Sequence, residues 1–375
     1  MMLLEFKAGS IEMSFRIPVM RPSLPSYRDV QPLLQSIDVS HVYSNRGPLI
    51  QALENEYANY LGVDSSLVVA VGNATQALQG LVAISAPENW YCPDYTFSAT
   101  GLAVINAKKS LHLCDVNLDS WKIDTSDLRT LAPSIGLLPV MPFGTEVCLS
   151  DYQEFTHVII DAAASLGRIP PKVSEMKSNW GVVYSLHATK VLGAGEGAIA
   201  VCGNHAMAKE LRAWINFGFS DGRESKLLGT NAKMSEFNAA YGLASLRMFN
   251  LEQDLWMISQ NAVSQNTKDN RWKTQVNAQA AFQPYWIASF RNSDERNYVQ
   301  GALLDLQIQS RCWWQKPLSK QLAFCGSPKL GDLANSDLLA STHLGLPMYQ
   351  GLLEEDVSFV VDCVEEILKD YCGGD

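Results

Sequence analysis

The chain has 375 residues, 47% of them apolar and 18% charged, which suits a soluble protein with one large domain and one smaller one. Its formal charge of −10 argues against nucleic acid or an anionic membrane as a bulk partner, because both attract basic surfaces. The eight cysteines are scattered without a C-x-x-C pair, so neither a disulfide framework nor a zinc site is expected, and a reducing, cytoplasmic setting fits best.

The opening "MMLLEFKAGSIEMSFRIPV" makes a poor signal peptide, since Glu5 and Lys7 interrupt its short apolar patch. Residues 1–16 read as an extension, with Met13 as a second candidate start. From residue 50 a regular alternation begins. "IQALENEYANYLG" has helical spacing and ends on Gly62 as a C-cap. "SLVVAVG" is a β-branched run of the kind buried in a parallel sheet. "NATQALQGLVAI" is a helix opened by Asn73. "NWYCP" (strand), "TFSATGLAVINA" (helix), "SLHLCDV", "IGLLPVMPF" and "HVIIDAA" (strands) follow, and then two strand candidates close together, "GVVYSLH" and "GAIAVCG". No run is long and apolar enough for a membrane helix.

Strands alternating with helices predict an α/β fold around a mostly parallel sheet. A long helical stretch, "SEFNAAYGLASLRMFNLEQDLWMISQNAV", leads out of it. The last third reads as a smaller α+β unit: "AAFQPYWIASF" is strand-like, "DERNYVQGALLDLQ" helical, and "EEDVSFVVDCVEEILKDY" an amphipathic terminal helix. The expected division is an extension over 1–16, a large domain with an N-terminal arm over 17–250, and a small domain over 251–375.

Chemistry concentrates at a few points. In "SLHATKVLGAGEGAIAV", Lys190 lies between an apolar strand and a glycine-rich turn, where it is either a structural lysine or one that forms a Schiff base. Asp161 ends the strand of "HVIIDAAASLG", and ligands of α/β sheets gather at such carboxyl ends. Asp161 taken alone reads first as a helix N-cap or turn residue. With Lys190 one strand further on, the pair could serve pyridoxal phosphate, whose aldehyde needs a lysine and whose ring nitrogen needs a carboxylate. Asn73, Ala74 and Thr75 at a strand-to-helix junction offer N–H groups to a phosphate, with Ser185 as a further donor. Phe97 and Tyr95 are candidate stacking faces or plain core.

Other patterns point nowhere. "GAGEGA" sits between two strands, whereas a dinucleotide fingerprint opens a helix. The six histidines lack metal-ligand spacing and no G-x-S-x-G elbow occurs.

Taken together, the motifs resemble the DegT/DnrJ/EryC1/StrS family of sugar aminotransferases, pyridoxal phosphate enzymes of fold type I. The family's S-F-H-x-T-K and G-E-G-G look like "SLHATKVLGAGEGA", its D-A-A-Q-A like "DAAAS", its S-G-T-x-A-L like "NATQAL" and its P-x-x-T-F-x-A-T like "PDYTFSAT". "RGPLIQALE", "GTNAKMSEFNAAYGLASL" and "LGLPMYQGLLEEDV" match in the same order, so that the resemblance spans residues 17–370. It implies that Lys190 is the Schiff-base lysine and proton carrier, that Asp161 pairs with the ring nitrogen, and that Phe97 stacks on the ring. It also implies that Ser185, Ala74 and Thr75 hold the phosphate, and that Asn231 reaches the phosphate of the neighbouring subunit in a homodimer.

The implied activity is transfer of an amino group, from L-glutamate, to a nucleotide-linked keto sugar, for a surface glycan such as lipopolysaccharide or for an antibiotic. Related sugar 3-dehydrases carry histidine at the lysine position, so Lys190 favours transamination over dehydration or elimination. "SRCWWQKPL" resembles the segment that lines the sugar side, and its Trp313 and Trp314 point to a 4-keto-6-deoxyhexose or else to core packing. Several positions depart from the family pattern. Ala164 stands for Gln or His, Ala74 and Ala198 for glycines, and Ala232–Lys233 for Tyr-Arg. A divergent enzyme, or a non-catalytic regulatory relative, is what such drift would yield.

Overall fold

The computed structural model describes residues 15–131, 133–167, 173–267, 272–275 and 283–373; most of the expected extension over 1–16, with Met13, lies outside them. The helices and strands are, in chain order, α1 (Tyr27–Ser40), α2 (Pro48–Leu61), β1 (Val68–Val71), α3 (Ala74–Ile84), β2 (Asn89–Pro93), α4 (Ser98–Asn106) and β3 (Ser110–Cys114). Next come β4 (Gly136–Leu137), β5 (His157–Asp161), β6 (Trp180–Ser185), β7 (Ala198–Cys202), α5 (His205–Trp214) and α6 (Glu236–Asn266). The chain closes with β8 (Lys273–Gln275), β9 (Trp286–Ser289), α7 (Ser293–Asp305), β10 (Lys329–Leu330), α8 (Ala334–Thr342), β11 (His343–Leu346) and α9 (Glu354–Gly373).

Side-chain caps start several helices where the sequence places Asn or Ser. Asn73, Asn204, Ser235 and Asn292 each accept a backbone N–H from the first turn that follows. Gly62 ends α2 in the left-handed conformation, φ 66°, as expected of a C-cap glycine.

One eight-stranded sheet runs β1-β7-β6-β5-β4-β2-β3-β10, and a three-stranded sheet runs β11-β9-β8. In the large sheet β7 is antiparallel to both neighbours, and the other pairings are parallel. The "SLVVAVG" strand is therefore not paired in parallel, as its apolar run suggested. It is fully apolar because all four β1 residues are buried, and burial depends on covered faces rather than strand direction. Two reversals, β6 to β7 and β7 to β1, leave β1 running the same way as β5 and β6. The carboxyl ends of β1, β5 and β6 consequently meet at one sheet edge.

Two expected strands are shorter than they read. "IGLLPVMPF" pairs regularly only at Gly136–Leu137, adds an isolated bridge from Val140 to Asp161, and then enters a 3-10 turn at Pro142–Gly144. Pro139 and Pro142 have no N–H to give to a ladder. Of "AAFQPYWIASF", Trp286–Ser289 is strand, Gln283–Tyr285 leads into it, and residues 280–282 lie outside the described part. The long helical stretch is a single helix, α6, of 31 residues that packs on α2 and α9. An addition that periodicity missed is β10, by which the C-terminal part lays a two-residue strand parallel to β3 at the sheet edge.

Candidate active site

A cavity of about 810 Å³ opens at the sheet edge where β1, β5 and β6 end, and Ala74, Thr75, Phe97, Asp161, Ser185 and Lys190 all line it. Asp161 is the last residue of β5 and is 6% exposed. Its Oδ2 accepts from Thr100 Oγ1 at 2.8 Å and its Oδ1 from the Ala163 N–H at 3.2 Å. Burial pushes its carboxyl above the usual range, against the opposing pull of those two donors and of the Lys190 charge. A raised, buried carboxyl at a cavity wall is a site that a cation would complete.

Ser185 closes β6, pairs with Ala198 across the ladder, and accepts the His187 N–H on its hydroxyl at 3.2 Å. Ala198, the departure from a glycine, is accommodated inside β7 at that pairing. The loop that joins β6 to β7 is held by backbone bonds from Leu186 to Gly197, Ala188 to Gly195 and Ala194 to Leu186. Lys190 rides on this loop and sends Nζ to the phenol of Tyr285 at 2.7 Å.

At the amino end of α3, the Asn73 side chain takes the Gln76 N–H. The N–H groups of Ala74 and Thr75 have no protein acceptor among the described residues, and the helix dipole adds to their pull on an anion. Phe97, the residue before α4, is 61% exposed and lines the cavity. Tyr95 does not share that place. It is 1% exposed, its hydroxyl bonds His343 Nδ1 at 2.7 Å, and its ring lies edge-on to Trp314. Burial lowers His343 to about 3, so this pair is neutral core beneath the cavity floor.

Trp313 and Trp314 also line the cavity. Trp314 stacks on Phe143 at 4.0 Å between ring centroids, and Trp313 stands edge-on to Tyr285 at 5.2 Å. Arg311 lies over Trp313 at 4.8 Å and brings a guanidinium to the same wall. Gly345 makes this wall possible, because a Cβ there would come within 2.1 Å of Trp313 Nε1. Gly345→Ala should therefore displace Trp313 and cost about 1–3 kcal/mol, as overpacking does, read as a lower urea midpoint; an unchanged midpoint would mean that Trp313 can simply swing aside.

Asn231 lies outside the cavity: it is exposed and forms an isolated bridge with Asn216. Its neighbour Lys233 bonds Asn216 Oδ1 at 3.0 Å and covers the Phe217 ring. Tyr285 and Phe143 are cavity residues that no sequence motif revealed, whereas Arg311 and Thr100 lie within the quoted segments "SRCWWQKPL" and "PDYTFSAT" without having been singled out. Thr100 is present in "PDYTFSAT", and its alignment one turn below Phe97 was the available signal.

Residues 28–365 match the model of the DegT/DnrJ/EryC1/StrS aminotransferase family. The chain belongs to it. It is 27% identical to the dTDP-4-amino-4,6-dideoxy-D-glucose transaminase of Shigella dysenteriae over 93% of this chain and 98% of that one. It is 24% identical to the dTDP-3-amino-3,4,6-trideoxy-alpha-D-glucose transaminase of Streptomyces venezuelae over 74% and 76%. Among solved structures, a putative PLP-dependent aminotransferase from Bacillus cereus superposes with a TM-score of 0.83 at 26% identity, covering 93% of this chain and 99% of that one. DesI in the presence of its TDP-sugar product gives 0.82 at 25% identity, with 96% of each chain covered.

As a member of the DegT/DnrJ/EryC1/StrS family the chain is a pyridoxal phosphate-dependent aminotransferase of the type I fold. The residues present fit that cofactor. Asp161 offers the ring nitrogen a buried carboxylate, Lys190 offers an amine, and the start of α3 offers free N–H groups. Ala74 keeps its N–H despite replacing a glycine, and Ala164 supplies no polar side-chain atom to the wall it lines.

Proposed function

We propose that this family member transfers an amino group from L-glutamate to a nucleotide-linked keto sugar, a dTDP-4-keto-6-deoxyhexose in particular. The observation that carries the reading is the convergence of Lys190 and Asp161 on one cavity walled by Trp313, Trp314 and Arg311. Pyridoxal phosphate supplies an aldehyde for an amine and an electron-withdrawing cationic ring. Asp161 keeps that ring protonated, and Phe97 covers its face. Ser185 and the N–H groups of Ala74 and Thr75 hold the phosphate. Lys190 Nζ would take the proton from the donor's α-carbon and carry it to the carbon that had been the cofactor's aldehyde, with the reverse transfer when the keto sugar takes up the amine.

The sugar side follows from the second wall. Indole faces suit a sugar or base, and the Arg311 guanidinium suits either the carboxylate of an amino donor or a diphosphate. The resemblance to two dTDP-sugar transaminases supports a dTDP-sugar, and of the two only the Shigella relative, named for a 4-amino sugar, supports amination at C4. We also propose a homodimer in which Asn231 completes the neighbouring site. Phe217, Leu228 and Phe237 are exposed in the same part of the chain, Leu228 at 97%, and such a surface favours a partner. The division into domains at residue 250, a cytoplasmic location and a place in making surface glycans such as lipopolysaccharide belong to the same proposal. All eight cysteines are free, and no helix among the described residues is long and apolar enough to cross a membrane.

The test is the visible spectrum of the protein with pyridoxal phosphate. A yellow band should form, bleach with L-glutamate, and return with dTDP-4-keto-6-deoxyglucose. A protein that stays colourless would favour the regulatory relative. One that releases ammonia and a dehydrated sugar would be an eliminating enzyme instead.

A further inference from the structure

Lys190 is the group on which the proposed chemistry turns, yet the residues next to it in sequence do not orient its amine. The Thr189 hydroxyl is 2.9 Å from His187 Nδ1. In the turn after Asp161, Ala164 has no polar side-chain atom, and Ser165 points its hydroxyl away, to the Thr145 carbonyl at 2.9 Å. The partner of Nζ comes from 95 residues further along the chain: Tyr285 Oη, at 2.7 Å.

Tyr285 is itself firmly placed. It directly precedes β9, in the small sheet, and its ring stands edge-on to Phe143 and Trp313 at 5.6 and 5.2 Å. The preceding Pro284 packs on Gly144, where a Cβ would lie 3.1 Å from Pro284 Cδ and 2.7 Å from the Ala164 carbonyl. Gly144 also has a φ of +90°, a conformation that side chains resist. A glycine at that turn thus lets the small sheet approach closely enough for the phenol to reach the lysine.

We propose that Tyr285 is a positioning residue for Lys190. Its oxygen accepts one N–H of Nζ and fixes the amine in the cavity, so that the nitrogen lone pair is left for the substrate proton. The proton would pass from the substrate carbon to Nζ and on to the carbon that had been the cofactor's aldehyde, while the hydrogen bond to Tyr285 persists without transferring it. The proposal rests on the function argued above. It deepens that reading by making the small sheet part of the proton-transfer apparatus.

The experiment has two arms. In the first, Tyr285→Phe, Lys190→Ala and the double variant are unfolded in urea without cofactor. A hydrogen bond of this kind should appear as a coupling of about fivefold in the unfolding equilibrium constant, and additive effects would overturn the proposal. In the second, Tyr285→Phe is loaded with pyridoxal phosphate and mixed with L-glutamate in a stopped-flow absorbance instrument. Bleaching should slow about tenfold, with the half-saturating glutamate concentration and cofactor affinity within about twofold of the parent. A wild-type rate would sink the idea, and so would a defect confined to glutamate affinity or cofactor uptake. If the parent chain itself takes up no cofactor, the functional reading fails. That failure is distinguishable, because the first arm is read on the cofactor-free chain.

Discussion

Lys190→Ala is expected to lower the rate of bleaching by L-glutamate about 10²–10⁴-fold, the range that a positioned proton carrier supplies. The reason is the lack of a substitute. Among the described residues that line the cavity, Asp161 is committed to Thr100 and Ala163, His187 and Glu196 face each other at 3.6 Å with His187 also engaged by Thr189, and Tyr285 is the partner of the amine itself. Arg311 is a base only far above neutral pH. The fold should survive the change, because the side chain makes one hydrogen bond, to Tyr285, worth about 0.5–1.5 kcal/mol. Circular dichroism and the urea midpoint check that point. A small primary amine added to the variant should restore part of the rate, since it can occupy the space the side chain leaves. Retention of full turnover by Lys190→Ala would remove the proposed function entirely.

Most of the residues proposed to hold the cofactor were legible in the sequence as strand ends or helix starts, and the structure brings them to one cavity. Asp161, Ser185, Ala74 and Thr75 each follow an apolar run, and a strand end or helix start is a local property that a run of β-branched residues announces. Lys190 lies in a glycine-containing turn between two such runs. What periodicity could not show is contact across the chain. Tyr285 belongs to the C-terminal part, and nothing in its own neighbourhood announces that it faces Lys190, whereas Arg311 stands in the "SRCWWQKPL" segment already matched to the sugar side. The direction of β1 was hidden for a related reason: Val68–Val71 is buried throughout, and burial leaves no trace of whether a neighbour runs parallel or antiparallel. Tyr95 and Phe97 are two residues apart and equally aromatic, but only Phe97 stands at the entrance to α4 with its ring towards the cavity. Asn231 shows the opposite limit. Its expected role lies across a subunit boundary, and its exposure in one chain is what such a role requires without being evidence for it.

Asp161→Asn should separate stability from function. In the cofactor-free chain, burial raises the Asp161 carboxyl above its ordinary value of 3.8, opposed by Thr100, Ala163 and Lys190. The folded chain therefore binds a proton more tightly than the unfolded one at this position. The resulting stability is present below the unfolded value and is lost as pH rises through the raised folded value. The asparagine variant has no such loss. Its amide can accept the Ala163 N–H and donate to the Thr100 hydroxyl, which keeps both contacts. The difference in unfolding free energy, parent minus variant, should accordingly fall as pH is raised out of the carboxylate range towards neutrality. Urea melts of both cofactor-free chains across that window measure it. Turnover should move the other way, falling about 10²–10³-fold in the variant, because an amide cannot keep the cationic ring of the cofactor protonated in a dry wall. A variant that is less stable than the parent at neutral pH would mean that Asp161 is held ionised by its own neighbours. A variant with intact turnover would mean that the carboxylate serves the fold alone. The expected pair of results, a chain relieved of strain and an enzyme deprived of its electron sink, identifies Asp161 as a charge kept in place for the cofactor at the protein's own cost.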